Sequence, residues 1–530
     1  MNPSTNAAAA AGHLYCHQLA AQARTAPDKD FLLEGERRLT YADTVEAVER
    51  LAATLSRHGV QSGARCVLWM ENGIDYVLAW LALARTGAVS VPLNQAYRGP
   101  ILAHQINDVN PQAIVTDAAH WARIAELGAS VKPFARIFHG SRSGESGLPE
   151  GALPLFNDNE PLAAVGFPCP QASDIMSIFY TSGTTGPSKG VLYTHEQAWN
   201  TALSVSPHLA ADDVFYMTNP MCHVGLPHCL GAVLQAGATM AIRKKFSASG
   251  FWSDVRRYGA TATMMLGSVA SFLNSAKGRA DDADHTLRKV LMVPMLKDAD
   301  AFCRRFGVSV MSWFNMTELS VPLDTGGFSP HPDGGCGHAR PGVSARVVDE
   351  LDREVPRGLP GELVVRDDRP WTISPGYLDQ PDATAATWRN LWFHTGDLFV
   401  QDEAGAFFFL DRLKDCIRRR GENISSHEVE SQILLNPMVQ EAAVIGVAAP
   451  DGEQEVQAII VLRPGAQLDT AALLDFLQPR LPHFCIPRYI AFNADPLPKT
   501  ETGKVQKNLL RARFPRGKGD REDVGYILRR

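Results

Sequence analysis

Residues 178–190 read Ile178-Phe179-Tyr180, then Thr181-Ser182-Gly183-Thr184-Thr185-Gly186-Pro187-Ser188-Lys189-Gly190. A short apolar strand runs into a segment of hydroxyl residues and glycines that carries one lysine. Glycines let the backbone approach a ligand closely. The hydroxyls and the intervening amides can donate hydrogen bonds to phosphate oxygens, and Lys189 adds a positive charge. The segment has the composition of a phosphate cradle. It is not the common P-loop, which ends Gly-Lys-Ser/Thr, because Gly190 follows Lys189. A flexible surface loop has the same composition, and on this string alone that reading stands beside the first.

Further groups have chemistry that would serve such a loop. Glu318 closes the stretch Phe314-Asn315-Met316-Thr317-Glu318. An acidic side chain beside a polyphosphate needs a divalent cation such as Mg²⁺ between them; a lone Glu is otherwise a solvated surface charge. Asp397, in Thr395-Gly396-Asp397, offers a carboxylate that both hydroxyls of a vicinal diol can donate to. Arg418-Arg419-Arg420 could meet phosphates, since charge-assisted contacts favour arginine, or could be a solvated hairpin face.

The elements that must position these groups follow from periodicity. Over residues 41–58, Val45, Val48, Leu51, Ala52 and Leu55 have helical spacing, with Thr40 as cap and Asp43 three residues on. Residues 65–70 read as a strand, 74–85 as a helix and 88–93 as a strand. That rhythm implies parallel pairing with right-handed crossovers, and it returns around residues 215–242 and 310–313. After about residue 323, Gly and Pro cluster and short apolar strands follow, which predicts a smaller β-rich subdomain. Residues 426–435 (helix), 441–447 and 458–463 (strands) and 470–477 (helix) make a compact α+β unit. The expected fold class is α/β: a large N-terminal domain of doubly wound sheets with a β-rich subdomain, residues 1–411, and a small mobile α+β C-terminal domain, residues 412–530. From about Pro515 the chain reads as a mobile tail.

The bulk numbers agree. A chain of 530 residues is too long for one core. A net charge of −6 gives no reason to expect nucleic acid as a partner. The nine cysteines are scattered without a CxxC pair, which argues against a disulfide framework or a zinc site and fits a reducing cytoplasm. No apolar run approaches the roughly 20 residues of a membrane span. A monomer or homodimer is expected.

The string at residues 180–190 resembles the signature loop of the ANL superfamily, which comprises acyl-CoA synthetases, nonribosomal adenylation domains and firefly-type luciferases. The resemblance extends over residues 39–507. It implies ATP binding by Thr181, Ser182, Gly183, Thr184, Thr185 and Lys189; adenine stacking on Phe314 beside Asn315; phosphate contact by Thr317; Mg²⁺ on Glu318; and ribose on Asp397. The string Asp411-Arg412-Leu413-Lys414-Asp415 resembles the inter-domain hinge, with Arg412 on the nucleotide and Lys414 as pivot. Arg420, Gly421 and Glu422 resemble the hairpin beside the pantetheine of coenzyme A. Thr502-Gly503-Lys504-Val505 resembles the catalytic lysine motif, and implies that Lys504 bridges the incoming carboxylate and the α-phosphate. In the family the C-terminal domain then rotates about the hinge for thioester formation.

His223 sits where many family members carry a gate between pantetheine and acyl carbon; a core histidine is the plainer reading, and His228 is read as structural. The implied acyl pocket, Met221, His223, Val224, Leu266, Gly267 and Trp313 with Met264, Ser268 and Ser312, is mostly apolar, which points to an aliphatic or aromatic acid. The family's Gly-Gly-Ala-Pro-like turn is replaced by Val293-Pro294-Met295, and Asn315 replaces a glycine. These departures look most like the crotonobetaine/carnitine–CoA ligase branch. The implied reaction is carboxylate plus ATP to acyl-AMP and pyrophosphate, then CoA to acyl-CoA and AMP. A stand-alone adenylation enzyme loading a carrier protein and a non-catalytic nucleotide-binding pseudoenzyme are the alternatives.

Overall fold

The computed structural model describes residues 14–140, 149–156, 169–181, 188–296, 298–329, 335–415, 417–419, 422–448, 454–500, 503–514 and 517–521. Ser182, Gly183, Thr184 and Thr185 of the hydroxyl-rich loop, and Arg420 and Gly421 of the basic hairpin, lie outside the described residues, and Glu422 is described in its backbone alone. The described residues divide by their contacts into two compact units. The first takes those up to Thr181 with Ser188–Ser344 and Arg366–Thr387; the second takes Ala345–Val365 and those from Trp388 onward. The β-rich segments before Arg412 thus go with the C-terminal part, because the long strand Trp392–Gln401 pairs with both Gly361–Asp367 and Phe407–Arg412.

Two seven-stranded sheets form the first unit among the described residues. One runs Leu153–Pro154, Arg136–His139, Ala113–Thr116, Arg65–Trp69, Val89–Pro92, Ile175–Tyr180, Gly190–Thr194; every pair is parallel except the last, which flanks the hydroxyl-rich loop. The other runs Ser309–Met311, Lys289–Val293, Ala262–Leu266, Val214–Met217, Thr239–Ile242, Asp30–Glu34, Arg37–Thr40, again parallel except at its final pair. Strands such as Ala113–Thr116 and Thr239–Ile242 are buried at every position, as strands covered on both faces must be.

One apolar cluster joins the facing sides of these sheets. It holds residues of both sheets together with helices Tyr41–Arg57, Ile74–Thr86 and Gly225–Ala236. Helix Ile74–Thr86 is buried on nearly every side, which its continuous apolar sequence allows. Helix Tyr41–Arg57 begins with the expected capping box: the Asp43 amide donates to Thr40 Oγ1 (3.1 Å) and the Thr40 amide to Asp43 Oδ2 (3.0 Å). Separate apolar clusters cover the outer face of each sheet, so both are doubly wound.

In the second unit, Val439–Ala448 pairs antiparallel with Gln454–Leu462, which pairs parallel with Tyr489–Phe492. Helices Ser426–Ile433 and Thr470–Leu477 pack on one face of this sheet and Lys507–Arg513 on the other. Two readings of the sequence are corrected here. Residues 517–521, expected in a mobile tail, run against the strand Tyr489–Phe492. The Ile490 amide donates to the Gly519 carbonyl (2.8 Å), and Arg488 pairs with Asp520 (3.1 Å). Gly519, at φ +76°, permits this approach, since a Cβ there would lie 1.9 Å from the Ile490 carbonyl oxygen. Arg419 is neither solvated nor free for phosphates: it is buried and paired with the equally buried Glu455 at 2.7 Å. Among the described residues no helix is long and apolar enough to cross a membrane.

Removing one partner of a buried ion pair leaves the other charge uncompensated. Glu455→Ala is therefore expected to cost about 3–5 kcal/mol in thermal or denaturant unfolding of the full chain, and Arg419→Leu with Glu455→Leu to recover most of that loss. An unchanged unfolding midpoint for Glu455→Ala would mean that the pair is not desolvated.

Candidate active site

In the first unit two of the implied nucleotide residues, Lys189 and Glu318, meet on a side chain to which the sequence assigned no role, Tyr377. The Thr181 amide donates to the Lys189 carbonyl (3.0 Å), closing the base of the hydroxyl-rich loop. The Lys189 ammonium lies over the Tyr377 ring, 4.9 Å from its centre. The Tyr377 hydroxyl donates to Glu318 Oε1 at 2.8 Å, and Glu318 is buried. Burial first and Glu318 second push the Tyr377 phenol far above its ordinary pKa, so it stays a donor. The backbone just before Tyr377 admits only glycine, since Gly376 has φ +145° and a Cβ there would come within 2.6 Å of Thr384. A glycine preceding a tyrosine after Pro375 was the one signal in the sequence.

Thr317 is held from the same direction. Thr194 ends the strand that follows the loop, and its hydroxyl accepts from the Gln197 amide (2.9 Å) to cap the next helix. Gln197 Nε2 then donates to the Thr317 carbonyl (3.1 Å). Trp313–Phe314 is a short strand paired with Leu323–Asp324; Phe314 is nearly buried and Asn315 half-buried. Glu318 is a hard oxygen donor in a desolvated setting, the type of group that takes Mg²⁺ when substrate phosphates supply the remaining ligands. Among the described residues no cluster of three or more acidic, His or Cys side chains could hold a metal by itself.

Of the residues implied for the acyl pocket, Met221, His223 and Val224 directly precede helix Gly225–Ala236, and Trp313 meets His228 within it. Met221 is fully buried, and its amide donates to Asn72 Oδ1 (3.1 Å). Burial lowers the pKa of His223, whose Nε2 has no partner among the described residues. Val224 packs against the main apolar cluster. Leu266 is exposed and pairs in register with Val293. Gly267 faces Pro294 so closely that a Cβ would sit 2.6 Å from the Pro294 carbonyl oxygen. The altered turn thus finds its glycine on the opposing segment. Trp313 is buried and meets the His228 ring edge to face, centres 5.4 Å apart.

In the second unit a separate charged cluster forms. Asp397 and Arg412 are register partners on adjacent strands, with Arg412 Nε 3.7 Å from Asp397 Oδ1. The Asp397 amide donates to Thr395 Oγ1 (3.1 Å), and Thr395 Oγ1 donates to the Leu363 carbonyl (2.7 Å). Arg511 clamps the string 411–415, donating to the Lys414 carbonyl (3.1 Å) and pairing with Asp415 (2.8 Å). Lys504 stands on a tight loop: its amide donates to Thr500 Oγ1 (3.1 Å) and its carbonyl accepts from the Thr500 amide (2.7 Å), across Gly503 at φ +79°. The side chain is exposed overall, yet its crowded surroundings desolvate the ammonium in part. That desolvation, then Arg412, lower its pKa to about 8, against the opposing pull of Asp397 and Asp415. Lys414 is lowered for the same two reasons.

Comparison with known proteins agrees with this geometry. Residues 19–378 match the family model of the AMP-binding enzymes, and residues 428–504 that of the AMP-binding enzyme C-terminal domain. A crotonobetaine/carnitine–CoA ligase of Salmonella paratyphi A is 31% identical over 496 residues, covering 90% of this chain and 93% of the relative. That of Citrobacter koseri is 30% identical with the same coverage. ATP-bound MatB from Rhodopseudomonas palustris superposes with a TM-score of 0.81 at 29% identity, over 94% of this chain and 98% of that one. The anthranilate–CoA ligase AuaEII, in complex with anthranoyl-AMP, shares the fold with a TM-score of 0.82 at 23% identity over 94% and 97%. With the family model matched from the first helix to Leu378 and relatives aligned over nine-tenths of its length, the chain belongs to the AMP-binding enzymes, the ANL superfamily of adenylate-forming enzymes.

Proposed function

We propose that the protein is an ATP-dependent carboxylate–CoA ligase of the AMP-forming type, acting in the cytoplasm. The observation that carries this reading is the cluster in which Lys504 shares one electrostatic environment with Asp397 and Arg412. A carboxylate cannot expel oxide, so its oxygen attacks the α-phosphorus of ATP; the bond to the β-phosphate oxygen breaks and pyrophosphate leaves. Two anions must approach each other, and the barrier is largely electrostatic. Thr181, the hydroxyl-rich loop through Thr185, Lys189 and Thr317 hold the phosphates. Glu318, oriented by Tyr377, would hold Mg²⁺, which when bound would neutralise charge on the pyrophosphate. Phe314 and Asn315 receive the adenine, and Asp397 and Arg412 the ribose and its flank.

Lys504 bridges the carboxylate and the α-phosphate, fixing the in-line approach. In the second step the CoA thiol loses its proton, its sulfur attacks the acyl carbon, and AMP departs. Functionally the chain divides at residue 411 into an adenylation part and a C-terminal part that pivots at Lys414, removing Lys504 and presenting Arg420, Gly421 and Glu422 to pantetheine past His223. Relatives named as CoA ligases support CoA over a carrier protein as acceptor.

Lys504→Ala is expected to lower ATP–pyrophosphate exchange by about 10²–10³ while leaving thioester formation from supplied acyl-adenylate nearly unchanged. Equal loss in both half-reactions would remove Lys504 from its assigned step. A pH dependence follows from the lowered pKa. The ammonium is the active form, present below its pKa and lost above it, so kcat/KM for adenylation should fall as pH rises through about 8. Lys504→Arg, which stays charged, should lack that descending limb; if wild type and Lys504→Arg descend together, another group titrates.

A further inference from the structure

Two buried ring systems beside the proposed acyl pocket hold polar atoms that nothing in the described chain satisfies. Trp313 is 2% exposed and its indole Nε1–H meets no acceptor; His228 is 1% exposed and neither ring nitrogen has a partner. The rings meet edge to face at 5.4 Å. A third orphan, His223 Nε2, lies one turn before His228 in the chain. A buried donor without an acceptor is costly, and most such groups in folded proteins find a partner. Three together beside a substrate site indicate that the partner arrives with the substrate.

The surroundings say where. Trp313 directly precedes Phe314 on the strand that leads to Thr317 and Glu318, and His228 lies in the first turns of helix Gly225–Ala236. At the start of that helix Gly225 leaves open space, with nothing within 4 Å of the Cβ it lacks. They also say what chemistry is welcome. Arg340 is buried near His228; it donates to the carbonyls of Val321 (2.9 Å) and Asn200 (3.3 Å) and pairs with Asp324 at 3.7 Å, so its charge is met within the fold. Burial, and then Arg340, hold His228 down at about 3, so the imidazole is neutral, donating from one nitrogen and accepting at the other. Buried N–H donors left unfilled call for an oxygen acceptor.

We infer that the carboxylic acid activated by this enzyme carries a hydroxyl or carbonyl oxygen on its acyl chain, and that Trp313 and His228 are the residues that select it. This deepens the ligase reading and rests on it. It also revises the expectation of a plain aliphatic or aromatic acid, which rests on residue types alone and takes no account of His228 facing Trp313. A quaternary-ammonium head offers these N–H donors no acceptor and is disfavoured.

The test uses the full-length enzyme with matched acids: butyrate against β-hydroxybutyrate, valerate against levulinate, and γ-butyrobetaine as the cationic member. Pyrophosphate release should favour the oxygen-bearing member of at least one pair by about tenfold or more in kcat/KM. Trp313→Phe and His228→Phe, which keep a ring and delete nitrogens, should each pull that ratio toward unity. In parallel, the isotope-labelled indole N–H resonance of Trp313, assigned by its loss in Trp313→Phe, should shift with the oxygen-bearing acids and not with their alkyl partners. Preference for alkyl acids or for γ-butyrobetaine overturns the inference. So does an indole resonance that no acid moves, the result expected if an internal water satisfies both rings. If the resonance responds but no acid releases pyrophosphate, the ligase reading fails and the pocket assignment stands.

Discussion

A carboxylate kept out of water imposes the strictest condition on this molecule. Glu318 is buried, and a buried carboxylate must be met by donors or a cation. One oxygen accepts from the Tyr377 hydroxyl, and the same phenol ring lies beneath the Lys189 ammonium, so anion, donor and cation are stacked in sequence. The strand pair that flanks the hydroxyl-rich loop fixes Lys189. The glycine that only fits at Gly376 fixes Tyr377. Much of the first unit, with its two sheets and shared apolar cluster, serves to bring chain positions 189, 318 and 377 to one place and hold them there.

The second unit solves a different electrostatic problem. Its cluster mixes three cations, Arg412, Lys414 and Lys504, with Asp397 and Asp415. Like charges in partial desolvation lower each lysine, while the carboxylates keep Lys504 within reach of protonation near neutral pH. Part of the desolvation cost of the Lys504 ammonium is thus met by the fold before a substrate carboxylate arrives. Arg511, on the helix that follows Lys504, links that helix to the string 411–415.

Where the chain departs from its superfamily, the packing supplies substitutes. The turn Val293-Pro294-Met295 holds no glycine, and the close backbone approach at Pro294 is made by Gly267 across from it. The basic run beside the hinge has Arg419 turned inward onto Glu455, which takes one arginine out of any phosphate contact and commits it to the C-terminal core.

The composition of the hydroxyl-rich loop, the alternating strand–helix rhythm and the α+β C-terminal part were legible in residue types at short spacing, whereas the Glu318, Asp397 and Lys504 strings stood out only through their resemblance to the superfamily. Thr40 with Asp43 announced a helix start, and the structure forms that capping box. Tyr377, the inward turn of Arg419, the docking of residues 517–521 and the meeting of His228 with Trp313 were not legible. Each depends on a partner 32 to 85 positions away, brought near by sheet pairing and helix packing. Local chemistry writes itself in local sequence; which buried polar atom meets which, or meets none until a substrate comes, is settled only when the tertiary fold removes water from between them.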